Sequence, residues 1–262
     1  MNRSREICLL PAAESVFLKA MNWETAAVPP ALGAGEVHVW RAHLGGAAAG
    51  GDPPDETALT GEELKRASGY PAGEPRRRFL TSRARLRSLL SGYLGAAPRE
   101  VRLAYGEQGK PSLREPAADL TFNLSHSGDL LLLAFGRGRE LGIDVERTGR
   151  DVSWERVARR FFERREQEAL RSLPAAERRA AFFRGWTRKE AFVKATGRGV
   201  TQGLRTFAVS LDPEAAALTW IQDGDPADWG MADVDAGPGH AAAVCAAGRG
   251  WSLRCFEPAP GR

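Results

Sequence analysis

Lysine is scarce in this sequence: of 37 basic residues only five, Lys19, Lys65, Lys110, Lys189 and Lys194, are not arginine. Cysteine is scarcer still. Cys8, Cys245 and Cys255 form no C-x-x-C pair, and the four histidines, His38, His43, His126 and His240, show no H-x-x-x-H spacing. Both absences argue against a zinc site and a disulfide framework. Long apolar runs are missing too. A stretch such as Leu130 to Phe135 falls far short of the roughly 20 residues that span a bilayer. Glu6, Pro11 and Glu14 stand where a signal peptide needs an apolar centre, so a cytoplasmic location is expected. What is present suits a globular chain: 262 residues, 43% hydrophobic and 27% charged, enough for one large core or two small ones. The net charge of +4 favours acidic partners such as phosphates, nucleic acid or an acidic protein surface. An arginine bias this strong marks a G+C-rich genome, which makes the retained lysines worth inspecting.

Residues 1–34 show little periodicity and read as an N-terminal extension before a first strand at Glu36 to Ala42. Gly45 to Asp55 is a Gly, Ala and Pro loop. Pro75 to Leu94 reads as a helix with Phe79, Leu86, Leu90 and Tyr93 in one stripe and Arg76, Arg83 and Arg87 beside it. From Asp119 the period changes to two. Leu120, Phe122 and Leu124 alternate with polar residues, Ser127-Gly128-Asp129 supplies a turn, and Leu130 to Phe135 returns. A third strand, Glu140 to Glu146, completes an expected antiparallel meander, with Leu141, Ile143 and Val145 on one face and Gly142, Asp144 and Glu146 on the other. Helices follow at Trp154 to Phe162, Arg164 to Leu173 and Pro174 to Thr196, the last closed by Gly197. Strands resume at Phe207 to Leu211, Leu218 to Gln222, His240 to Ala246 and Trp251 to Phe256. Each half therefore combines helices with a small sheet.

Asp144 and Glu146 stand two apart on a strand, so their carboxylates leave the same face with Cα atoms roughly 6.5 to 7 Å apart. Such a pair either stays solvated, with Arg147 as partner, or shares a hard divalent cation. Glu190 sharpens the choice. At about 100° per residue it falls inside the apolar sector defined by Phe182, Phe183, Trp186 and Val193, where a carboxylate needs a partner. Lys194, one turn on, is either that partner in an i,i+4 pair or part of the same site.

Gly142-Ile143-Asp144-Val145-Glu146, followed by Trp186-Thr187-Arg188-Lys189-Glu190-Ala191-Phe192-Val193-Lys194, resembles the paired signature of Sfp-type 4′-phosphopantetheinyl transferases. Gly109-Lys110-Pro111 and Phe122-Asn123-Leu124-Ser125-His126-Ser127 match two further elements of that family. The resemblance runs from about Glu36 to Phe256.

It implies an α+β fold of two similar subdomains, 35–140 and 141–262, related by a pseudo-twofold, each a small mostly antiparallel sheet with packed helices. It further implies that Asp144, Glu146 and Glu190 bind Mg²⁺, which holds the pyrophosphate of coenzyme A, the co-substrate. Glu190, or a water it orients, would take the proton of a carrier-protein serine, and Lys194 would stabilise the leaving phosphate. Lys110, Ser125 and His126 match coenzyme-contacting positions, and Arg78 and Arg66 align with further phosphate contacts. The implied partner is an apo acyl or peptidyl carrier protein, with neither nucleic acid nor membrane, and a monomer is expected because the chain completes its own cleft. Two other readings compete. A basic nucleic-acid-binding protein would use Arg76-Arg77-Arg78 as a backbone-contacting patch, and a non-catalytic coenzyme A binder would keep the fold without turnover.

Overall fold

The computed structural model describes residues 22–45, 53–106, 111–114, 119–197 and 203–259. Two sheets pack face to face and a long helix covers each outer side, giving an α+β arrangement in four layers. The first sheet has the order β1-β12-β2-β6-β5, formed by β1 (Trp23–Ala26), β12 (Ser252–Pro258), β2 (Glu36–His43), β6 (Leu130–Arg137) and β5 (Leu120–Ser127). The second has the order β10-β11-β7, formed by β10 (Trp229–Asp233), β11 (His240–Ala247) and β7 (Leu141–Arg147). Two small hairpins, β3 (Leu103–Tyr105) with β4 (Pro111–Leu113) and β8 (Phe207–Val209) with β9 (Leu218–Ile221), stand outside them.

Period-two alternation builds the layers. Trp40 and Ala42 of β2 and Leu131, Leu133 and Phe135 of β6 face α2 (Glu74–Leu94), where Leu86 and Leu90 close the first core. Their neighbours Val37, Val39, Leu132 and Ala134 turn the other way and meet Ile143 and Val145 of β7 and Val244 of β11 between the sheets. The opposite face of the second sheet, Ala243 and Cys245, receives Phe192 and Val193 of α5 (Ala175–Thr196). Three shorter helices, α1 (Gly61–Ser68), α3 (Trp154–Phe161) and α4 (Arg164–Ser172), complete the described set. As its sequence predicts, α5 ends on Gly197 in the left-handed conformation, φ 67°, whose N–H returns to Val193 O. None of the described helices is long and apolar enough to cross a membrane.

The expected meander is corrected in its third strand. β5 and β6 pair antiparallel, but β7 leaves that sheet and pairs with β11. The reason lies in β6, whose two edges are taken by β5 and β2, so none is left for a third meander strand. Toward β7, the row Asn123, Ser125 and Ser127 of β5 makes side-chain contacts in place of a backbone ladder. A second difference concerns residues 22–34, read as an extension before the first strand. Trp23–Ala26 is an edge strand parallel to β12, held by the ion pair Glu24–Arg254 and by the Arg41 guanidinium lying 4.3 Å from the Trp23 ring. Four residues are too few to display a period. β12, from the end of the chain, also enters the first sheet, between β1 and β2. The helix α1 and the strand β10, neither of which was expected, are short; α1 is fixed by a capping box between Thr60 and Glu63.

Candidate active site

The site lies where the free edges of the two sheets meet. β5 ends the first sheet and β7 the second, and α2 and α5 flank the seam. Gly142 explains how α5 comes so near. A Cβ at this position would overlap Ala191 O and Ala195 N, so the backbone of β7 lies directly on the backbone of α5. That contact brings Glu190 and Lys194 over the face of β7 that carries Asp144 and Glu146.

Asp144 is buried, 5% exposed. Its Oδ1 accepts from Ser125 Oγ at 2.9 Å and from Lys194 Nζ at 2.7 Å, while Oδ2 is buried with no hydrogen-bond partner. Glu146 Oε2 accepts from Ser127 Oγ at 3.1 Å and pairs with Arg150 at 3.0 Å. Burial, then the charge of Asp144, raises the pKa of Glu146. Glu190 is pushed up to about 7, first by loss of water and next by Asp144, against the opposing pull of Lys194. The three carboxylates thus share one field with Lys194 inside it and Arg150 at its edge. Among the described residues, no three His, Cys, Asp or Glu side chains are gathered at metal-ligand distances. Lys194 spans from α5 to Asp144, Ser125 Oγ and Ile143 O.

On the α2 side His126 keeps an edge open to solvent. Its pKa is lowered by partial burial and then by Lys194 and Arg78, so cations converge on it. Arg78, in the first turns of α2, donates to Asp129 at 2.8 Å and to Glu74 at 2.9 Å. Arg66 is apart from this group: its guanidinium lies 5.6 Å from the Phe79 ring and 5.7 Å from that of Tyr105. Lys110 lies outside the described residues. A cleft of about 520 Å³, lined by residues including Arg41, His43, Asp129, Arg147 and His240, opens past the end of β7 and is not lined by Asp144, Glu146 or Glu190.

Sequence reasoning singled out Lys189 only for its rarity. It is fully buried, and its Nζ donates to both oxygens of Glu166 and to Phe207 O, each at 2.8 Å, with the Phe207 ring 4.2 Å away. Glu166 in turn accepts from Val209 N and Glu163 N. Burial pulls Glu166 up and Lys189 down, each opposed by the other's charge. A compact ammonium suits this cage of oxygens and aromatic carbon, where the planar fork of arginine does not. Next to it, Arg188 clamps Asp233, Ser210 O and Asp212 O. These two buried cations fix α5 to α4, β8 and β10 on the side facing away from Glu190.

Acids drawn together with a lysine, beside a histidine flanked by cations, make the meeting edges of the two sheets a strongly charged seam. A profile described as the 4′-phosphopantetheinyl transferase superfamily matches residues 140–245, and one described as 4′-phosphopantetheinyl transferase, N-terminal, matches residues 56–137. The chain is 40% identical over 230 residues to the 4′-phosphopantetheinyl transferase HetI of Nostoc sp., covering 85% of this chain and 92% of that one. It is 30% identical over 190 residues to the 4′-phosphopantetheinyl transferase Sfp of Bacillus subtilis, covering 72% and 82%. The chain therefore belongs to the 4′-phosphopantetheinyl transferase family and is an enzyme of that class.

Proposed function

We propose that this enzyme transfers the 4′-phosphopantetheine arm of coenzyme A to a serine of an apo acyl or peptidyl carrier protein, with Mg²⁺, releasing 3′,5′-ADP. One observation carries this reading: Asp144, Glu146 and Glu190 converge from β7 and α5 with more negative charge than Lys194 offsets, and the buried Oδ2 of Asp144 lacks a donor. All-oxygen donors of this kind suit a hard divalent cation. Mg²⁺ bound by the three carboxylates would supply Lewis acidity toward the phosphoryl oxygens.

The chain's own groups do the remainder. Glu190 takes the serine proton, directly or through a water it orients. As the serine Oγ bonds to the β-phosphorus, its proton passes to that carboxylate and the bond from phosphorus to the oxygen of the leaving 3′,5′-ADP breaks. Lys194, released from Asp144, donates to the leaving phosphate. His126, Arg78 and Lys110 supply positive charge to the phosphates of coenzyme A, and Ser125 steadies Asp144 beside them. This reading also divides the chain into subdomains of 35–140 and 141–262, with the coenzyme between them, in a cytoplasmic monomer.

Intact-mass spectrometry of apo carrier proteins incubated with the enzyme, coenzyme A and Mg²⁺ tests it. A gain of about 340 Da, the phosphopantetheine transferred from the cofactor, should appear and should vanish with Glu190→Gln or with chelated metal. No gain on any carrier, while coenzyme A still binds, would leave only a non-catalytic binder.

A further inference from the structure

The two sheets do not share a backbone ladder where β5 meets β7; side chains do the joining. Asn123, Ser125 and Ser127 alternate along one face of β5 and reach β7 in steady register. Asn123 Oδ1 accepts from Ile143 N at 2.9 Å, Ser125 Oγ donates to Asp144 Oδ1 at 2.9 Å, and Ser127 Oγ donates to Glu146 Oε2 at 3.1 Å. All three are buried, with Ser127 8% exposed. Ser127 also accepts from Arg147 N at 3.0 Å. A hydroxyl has one proton, and an oxygen already facing an amide N–H must turn that proton elsewhere, so the Ser127 proton is committed to Glu146.

The two acids are treated alike. Each has one oxygen held by a seam serine and a cation, Ser125 and Lys194 for Asp144, Ser127 and Arg150 for Glu146. The other oxygen of each, Asp144 Oδ2 and Glu146 Oε1, has no hydrogen bond among the described residues. Orientation of this kind, in which an outer group fixes one carboxylate oxygen and leaves the other to a metal, is how supporting hydrogen bonds tune metal sites.

We infer that Ser127 is a positioning residue that sets the Glu146 carboxylate for a divalent cation, while Asn123 serves the same seam structurally. This rests on the proposal that Asp144 and Glu146 bind the metal. Mn²⁺ affinity, measured by electron paramagnetic resonance on the whole protein with coenzyme A and corrected for Mn²⁺ held by coenzyme A alone, separates the two ideas. Asp144→Asn should abolish protein-dependent binding; if it binds Mn²⁺ as the wild type does, the metal reading itself falls and this inference with it. Given that loss, Ser127→Ala should weaken Mn²⁺ about 10-fold to 100-fold, and Ser127→Thr, which keeps the hydroxyl, should retain near wild-type affinity. Asn123→Ala should lower the melting temperature but leave Mn²⁺ affinity alone. Wild-type affinity in Ser127→Ala overturns the positioning role, as does an equal loss in Ser127→Ala and Asn123→Ala. Should Ser127→Ala not fold, the threonine variant decides: weakened binding by folded Ser127→Thr overturns the inference and unchanged binding supports it.

Discussion

Replacing Glu190 with glutamine should stabilise the metal-free protein at alkaline pH and leave it nearly unchanged near pH 4.5. Unfolded, the carboxyl ionises at its ordinary 4.5; folded, burial and the neighbouring acids push it up to about 7. Below pH 4.5 it is protonated in both states and costs nothing. As pH rises from 4.5 to about 7 the folded state holds a proton that the unfolded state has released, so stability falls across that window and then levels off. At about 1.4 kcal/mol per pH unit the full gap corresponds to roughly 3 kcal/mol. Water still reaches one side of the carboxylate, so a change of about 2 kcal/mol is the working expectation. Urea unfolding of both proteins, with metal chelated, from pH 5 to 8.5 reads this directly: the advantage of Glu190→Gln should grow with pH. Adding Mg²⁺ with coenzyme A should then stabilise the wild type at pH 8 and do little for the variant. An advantage constant to within about 0.5 kcal/mol over that range would refute the claim that burial and adjacent acids hold the Glu190 proton.

Lys189→Met strands the buried Glu166 without its cation and should cost about 3 to 5 kcal/mol in denaturant unfolding. A double variant, Lys189→Met with Glu166→Leu, should lose less than Lys189→Met alone, because no charge is then left buried. Gly142→Ala forces β7 and α5 apart and should cost about 3 kcal/mol or more, with carrier modification falling sharply even where the protein stays folded. His126, lowered by burial and by Lys194 and Arg78, should titrate upward in histidine NMR when coenzyme A binds, since phosphate offsets those cations; an unmoved His126 resonance would place the phosphates elsewhere.

Local pattern gave a large part of this molecule in advance. The alternation in Leu141 to Glu146 puts Asp144 and Glu146 on one face, and that is how β7 presents them, with Ile143 and Val145 in the core behind. Helical spacing put Glu190 among apolar neighbours and Lys194 one turn on, and α5 has that form. What such patterns cannot supply is which edges meet. β7 chose β11 over β6, Lys194 reached Asp144 across the gap, and Lys189 turned inward to Glu166 while Glu190, its neighbour, turned to the site. The strand at Trp23–Ala26 formed only because β12 returned from the far end of the chain to pair with it. Periodicity is a property of a few consecutive residues and fixes the face a side chain leaves by. Partners distant in sequence are selected by burial and by hydrogen-bond satisfaction summed over the folded chain: here β2 filled the second edge of β6, and the close backbone approach at Gly142 set α5 on β7.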